Sequence, residues 1–166
     1  MKEVKLTIDG KEVWLTAEQL KALGIGVEEK RKNPFERVPD GEAYYYSTGN
    51  GLVCWLYENH GNIEDYNAAN HFNDKAFAGQ VALHQLLYRK LLKFAYDNEC
   101  EDNQIWGGNG IEHWRIGYDI RECVFYADWV SAVKHNDVYF STKDGAERAI
   151  KEVVEPFVKE HSEFVW

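Results

Sequence analysis

The chain has 166 residues, 45% of them apolar, which suits one domain or a compact pair of half-domains with a real core and needs no separate cofactor-binding domain. A net charge of -9 disfavours nonspecific binding to phosphate backbones, which basic residues drive by displacing counterions, and suits a basic protein partner. Three widely spaced cysteines, and a start at Met1 followed by charge rather than by an apolar run of membrane length, predict a reduced, cytoplasmic protein with no membrane span.

Val4–Ile8 and Glu12–Leu15 alternate apolar and polar residues around Asp9-Gly10, a dipeptide that tolerates positive φ, so a hairpin is predicted. Thr16-Ala17-Glu18-Gln19 then forms a capping-box pattern ahead of Leu20 and Leu23, with Gly24 as the stop of a short helix. Residues 1–25 make an N-terminal hairpin-helix module, and the polar stretch 26–40, with Pro34 and Pro39, reads as a linker. Glu42–Tyr46 and Leu52–Tyr57 predict a second hairpin across Ser47–Gly51, followed by a polar loop over 60–67. Asn73 can cap a helix to about residue 98 whose stripe runs through Phe77, Val81, His84, Tyr88, Leu91 and Ala95, widened by Leu83, Leu87 and Phe94. The acidic, glycine-rich stretch 100–111 reads as a linker. Glu112–Tyr118 and Glu122–Tyr126 predict a third hairpin, Val138–Phe140 a short strand, and Ser141 or Thr142 the cap of a helix that Pro156 kinks or ends. Phe164-Val165-Trp166 is too apolar for a free tail and is expected to dock.

A constant offset sets residues 41–99 against 112–166: Tyr46 meets Trp114, Gly49 meets Gly117, Leu56 meets Val124, Phe72 meets Phe140 and Ala78 meets Ala146. One hairpin-plus-helix unit that cannot bury its apolar face alone would pair with its copy. The expected fold is α+β, with two such repeats sharing one antiparallel sheet and the two helices packed side by side.

No cluster of residues announces a reaction. The six histidines lack the close paired spacing of helical zinc ligands, and His84, on the apolar stripe, reads as a core histidine. Cys54 with His60, or Cys123 with His113, could be drawn as nucleophile and base, but cysteines within strand patterns are usually core and no activating environment is evident. The carboxylates lack the regular spacing of a calcium loop, and Gly107–Gly110 lacks the lysine and hydroxyl residue of a phosphate-binding loop. No catalytic residue, metal or cofactor is assigned. Aromatic content is the sharper signal, at 14% of the chain. Tyr44-Tyr45-Tyr46 puts aromatics on both faces of a strand, and residues 41–73 carry Glu42, Glu58, Glu64 and Asp65 with no basic residue. Either some of these rings are exposed as a protein-binding surface with a polar rim, or the sheet is covered on both faces. Stacking on single-stranded nucleic acid would need a basic groove that this segment does not supply.

Phe35-Glu36-Arg37-Val38 through Gly41-Glu42 to Tyr44-Tyr45-Tyr46, with Asn70-His71-Phe72-Asn73-Asp74-Lys75, resembles a pattern in small accessory proteins of phages and prophages of Gram-positive bacteria. Trp114–Asp119 and Val138–Glu147 are similar to that family's second half, and Ile8–Leu20 to a frequent N-terminal extension; Gly79 and His84 depart from it. The resemblance implies a non-enzymatic inhibitor of a host defence system, of the anti-CRISPR or a related anti-defence kind, acting on a host effector such as a nucleic-acid-binding nuclease. The surface expected to bind that partner comprises Tyr44, Tyr45, Trp55, Glu58, Glu64, Asp65, Asp119 and Asp128. The alternative is a structural or assembly adaptor of a virion or prophage, dimeric in form.

Overall fold

The computed structural model describes residues 3–8, 11–16, 19, 33–59, 63–107 and 110–166, which fall into two units, 1–33 and 34–166. In the first, β1 (Glu3–Ile8) pairs antiparallel with β2 (Lys11–Thr16). The Asp9-Gly10 turn between them lies outside the described residues. Lys5 sits opposite Trp14, holds its ammonium over that ring and pairs with Glu12, an exposed pair that contributes little. The capping box closes in both directions: the Thr16 amide donates to the Gln19 side chain at 2.8 Å, and the Gln19 amide donates to the Thr16 hydroxyl at 3.3 Å. The rest of the helix predicted after it lies outside the described residues.

The second unit begins at Pro34, inside the predicted linker, because residues 34–40 are pinned. Phe35 packs against Phe72 and Phe77, the Pro34 carbonyl accepts from the Asn73 amide, and Arg37 binds Glu58. Then follow β3 (Ala43–Ser47), β4 (Val53–Tyr57), α1 (Ile63–Asn67), α2 (Lys75–Asp97), β5 (His113–Asp119) and β6 (Val124–Val130). A last helical stretch comprises α3 (Lys143–Ala149), a π turn (Ile150–Val154) and α4 (Glu155–Glu160). The fold is α+β, but the shared sheet is not formed: β3–β4 and β5–β6 are separate two-stranded antiparallel sheets.

The β3–β4 and β5–β6 hairpins each gain an extra bridge on the free edge of their first strand. Tyr45 exchanges both backbone hydrogen bonds with Phe72, and Trp114 does the same with Phe140. Val138–Phe140 is therefore a bridge rather than a strand. A capped helix follows each bridge, α2 after Asp74 and α3 after Thr142, whose side chains accept from the Phe77 and Gly145 amides. Asp74 rather than Asn73 caps α2 because Asn73 is used elsewhere, its amide group donating to the Glu36 carbonyl. The bridges and caps keep the predicted offset between Phe72 and Phe140, but the strands do not. Trp114 stands where Tyr45 does, and Trp129 faces Trp114 as Trp55 faces Tyr45, so the longer β5–β6 hairpin slides the predicted match of Leu56 with Val124 out of register.

The core lies where α2 meets the second half: Leu83, Leu87, Leu91, Phe94 and Ala95 join Val138, Phe140, Ala146, Ala149, Val154, Phe157 and Phe164. Phe140 is fully buried, and removing such a ring costs about 3–5 kcal/mol. The buried side of α2 runs through Ala78, Ala82, Leu83, Leu87, Leu91, Phe94 and Ala95, which leaves His84 exposed instead of in the core. Its ring lies 4.7 Å from Phe164. Helix α3 approaches Cys100 so closely that a Cβ on Gly145 would sit 3.0 Å from the Cys100 Cβ, and burial pushes that thiol's pKa up. Pro156 does not end the helix. The Glu155 amide bonds back to Ile150 in a widened turn, which delivers Pro156 to the first turn of α4, where a missing amide hydrogen costs nothing. The chain end docks through Phe164, while the Gln80 side chain donates to the Glu163 carbonyl and accepts from the Val165 amide.

Candidate functional site

The β3–β4 hairpin and the loop after it organise around a buried histidine. His71 Nε2 lies 2.9 Å from Glu58 Oε2, and the other Glu58 oxygen accepts from Arg37 at 2.6 and 3.2 Å. Both the Glu58 and the His71 side chains are fully buried. The Arg37 hydrogen bonds hold the Glu58 carboxyl below its usual range despite that burial, so the group is an anion matched by a partly exposed guanidinium. Tyr44 covers the imidazole face and donates its hydroxyl to Asp65 at 2.8 Å, and Tyr66 meets the ring edge-on. Burial, then the Asp65 bond, pushes the Tyr44 phenol well above its ordinary value, so it stays a neutral donor.

A second node occupies the stretch predicted to be a linker. His113 Nδ1 lies 2.7 Å from Asp102 Oδ2, Trp106 stacks on the imidazole at 3.7 Å, and Tyr139 meets Trp106 edge-on. In the first node the aromatic comes from the strand and the histidine from the residue before the bridge. In the second the strand supplies the histidine, and Tyr139 precedes the bridge. A histidine ring against a carboxylate is a familiar base, but here the imidazoles are sealed. His71 Nδ1 and His113 Nε2 are both buried, with no hydrogen-bond partner among the described residues. With these nitrogens inside the fold, the arrangement sets ring orientation and locks each hairpin to its loop. Among the described residues no group of three or more His, Cys, Asp or Glu could hold a metal ion.

These nodes reassign the predicted contact residues. Tyr44 and Glu58 are interior, at 0% and 3% exposed, and cannot meet a partner. For Tyr44, strand alternation does not say which face is covered, and Glu58, just past β4, is drawn inward by Arg37 and His71. Asp65 is engaged by Tyr44. On the β5–β6 hairpin Asp119 caps its own turn by accepting from the Arg121 and Glu122 amides, and Asp128 is bound by Arg115. Half-buried Tyr45 pairs across the sheet with Trp55, and the neighbouring pair is Ala43 with Tyr57, so the three rings share one face. Trp55 is 56% and Tyr57 60% exposed, with ring centroids 5.3 Å apart. Glu64 is exposed on α1, which the Tyr44–Asp65 bond ties to β3. Cys123 is exposed in a turn and His113 is bound to Asp102, so that pairing makes no nucleophile and base. His60 lies outside the described residues.

Among the described residues no helix is long and apolar enough to cross a membrane. Compared with protein-family models, with curated proteins and with solved structures, the chain matches none.

Proposed function

We propose that this chain is a non-enzymatic inhibitor of a host defence system, of the anti-CRISPR-like kind carried by phages, which binds a basic, nucleic-acid-handling effector protein in the cytoplasm. The observation that carries the reading is the outer face of the β3–β4 hairpin, where Trp55 and Tyr57 stand exposed beside Tyr45. Large rings left in water contribute binding energy when a partner desolvates them, and tryptophan and tyrosine are favoured anchors of that kind. Charge selects the partner. Residues 41–73 hold no basic residue, Glu42 and Glu64 are exposed, and the chain's net charge of -9 repels nucleic acid while attracting a basic protein face. The sealed histidine nodes favour binding over catalysis, since neither offers a reachable base.

The test is capture from a phage-sensitive host lysate with wild-type chain and with a variant carrying Trp55→Ser and Glu64→Gln. The proposal expects the wild type to retain a basic, nucleic-acid-binding effector, salt to weaken the complex, and the variant to lose it. Retention of virion structural proteins instead would favour the assembly-adaptor reading, and equal capture by the variant would remove the surface assignment.

A further inference from the structure

The second unit contains a cleft of about 890 Å³ that no part of the protein-binding reading uses, running between α2 and the β5–β6 hairpin. Its size lies within the range of small-molecule sites. Leu87, Leu91, Ile116 and Val138 give it an apolar lining, and Tyr88, Tyr118, Tyr126 and Trp166 supply rings around it.

Specific contacts place these walls. Tyr126 faces Gly117 across the hairpin and lies so close that a Cβ there would meet the ring at 2.7 Å, so the missing side chain seats the tyrosine. Trp166 is held against Phe125 and Phe164 at the end of the segment that Gln80 clamps. Arg115 binds Asp128 on the neighbouring strand and Asp137 in the loop beyond, fixing a third wall.

The charge of the cleft differs from that of the chain. Its lining includes Arg89, Arg115 and His84 but one carboxylate, Asp137, which Arg115 already engages. Arg89 donates one hydrogen bond to the Gly49 carbonyl and has no carboxylate partner among the described residues. An arginine carries five donors, so most of its capacity faces water. On a chain of net charge -9, a cleft whose unmatched charge is cationic and whose walls are aromatic points to one class of ligand. From this geometry we infer that the cleft binds a small planar aromatic or heteroaromatic anion, with its ring between Tyr88, Tyr126 and Trp166 and its carboxylate or phosphate on Arg89. Arginine suits such a group because its planar fork can bind two oxygens at once.

Titration calorimetry with phenyl phosphate, benzoate and adenosine monophosphate tests this, with inorganic phosphate and benzyl alcohol as half-ligand controls. The inference expects saturable binding of at least one ring-bearing anion, stronger than either control. Arg89→Ala should weaken it about tenfold, Arg89→Lys less, and Tyr126→Ala about fivefold. Phenyl phosphate against benzoate tells whether phosphate or carboxylate is preferred. Amide NMR shifts of the wild type should move at Gly117, Tyr118 and Arg89 first, a readout that does not depend on any variant folding. Absence of saturation with all three ring anions would overturn the inference, as would binding of inorganic phosphate or benzyl alcohol as strong as the best of them. Undiminished binding by a folded Arg89→Ala would overturn it as well. The outcome is independent of effector capture through Trp55.

Discussion

The phenol of Tyr44 lies face to face with the imidazole of His71, ring centroids 4.2 Å apart and planes 13° from parallel. That stack fastens β3 to the chain just before the Phe72 bridge, and the Tyr44 hydroxyl carries the linkage on to α1 through Asp65. Two variants separate its parts. Tyr44→Phe keeps the stack and drops one hydrogen bond, at a cost of about 1 kcal/mol. Tyr44→Ala empties a fully buried ring site and should cost about 3–5 kcal/mol. Urea unfolding of both variants checks the difference.

Glu58 makes stability depend on pH in a defined direction. Its folded pKa is depressed by Arg37, so the folded state binds fewer protons at this group than the unfolded chain does. The contribution is complete above the ordinary glutamate value of about 4.3 and disappears as pH falls through the lowered folded value. Urea midpoints measured from pH 6 downward, an interval of about four units chosen to span that window, should fall for the wild type. Glu58→Gln should start lower and show a shallower acid limb, because its amide does not titrate.

Asp102 holds the buried histidine of the second node, at 2.7 Å from His113 Nδ1. Removing its carboxylate by Asp102→Ala strands the His113 Nδ1 in a fully buried site, which should cost about 1–3 kcal/mol. Trp106→Ala uncovers the same ring and should destabilise comparably. Hydrogen exchange should place the loss at β5 and at the Phe140 bridge before α1.

Gly117→Ala tests close packing on the outer hairpin. A methyl group 2.7 Å from the Tyr126 ring forces that ring to move, with a cost of about 1–3 kcal/mol unless it swings freely into the cleft. Thermal unfolding reads the cost, and the tyrosine ring resonances read the movement.

Much of this fold was legible where a local rule decides alone. Thr16 and Gln19 announce a capping box by spacing, and of the two predicted caps Ser141 and Thr142 it is Thr142 that bonds the Gly145 amide. Asn73 misled because capping ability is shared with Asp74, and a tertiary bond to Glu36 settled which residue stayed at the helix end. The stripe on α2 has the expected period, but His84 was given the wrong side, since a helix with apolar residues over much of its surface does not reveal which part is covered. Glu58 with His71, and Asp102 with His113, left no sequence signal. Each pair joins residues more than ten apart through segments that read as loops, and only the bridges at Phe72 and Phe140 bring them together. Of the predicted contact surface, the exposed residues Trp55 and Glu64 remain available, and Tyr45 remains in part.

The most direct measurement is the plating efficiency of a restricted phage on host cells whose nucleic-acid-targeting defence is active and which express this chain. Wild type should raise plating. A variant with Trp55→Ser, Tyr57→Ser and Glu64→Gln should not, although these exposed substitutions should each leave stability within about 0.5 kcal/mol of wild type. Unchanged plating with the wild-type chain, or equal protection by a folded variant, would contradict the account.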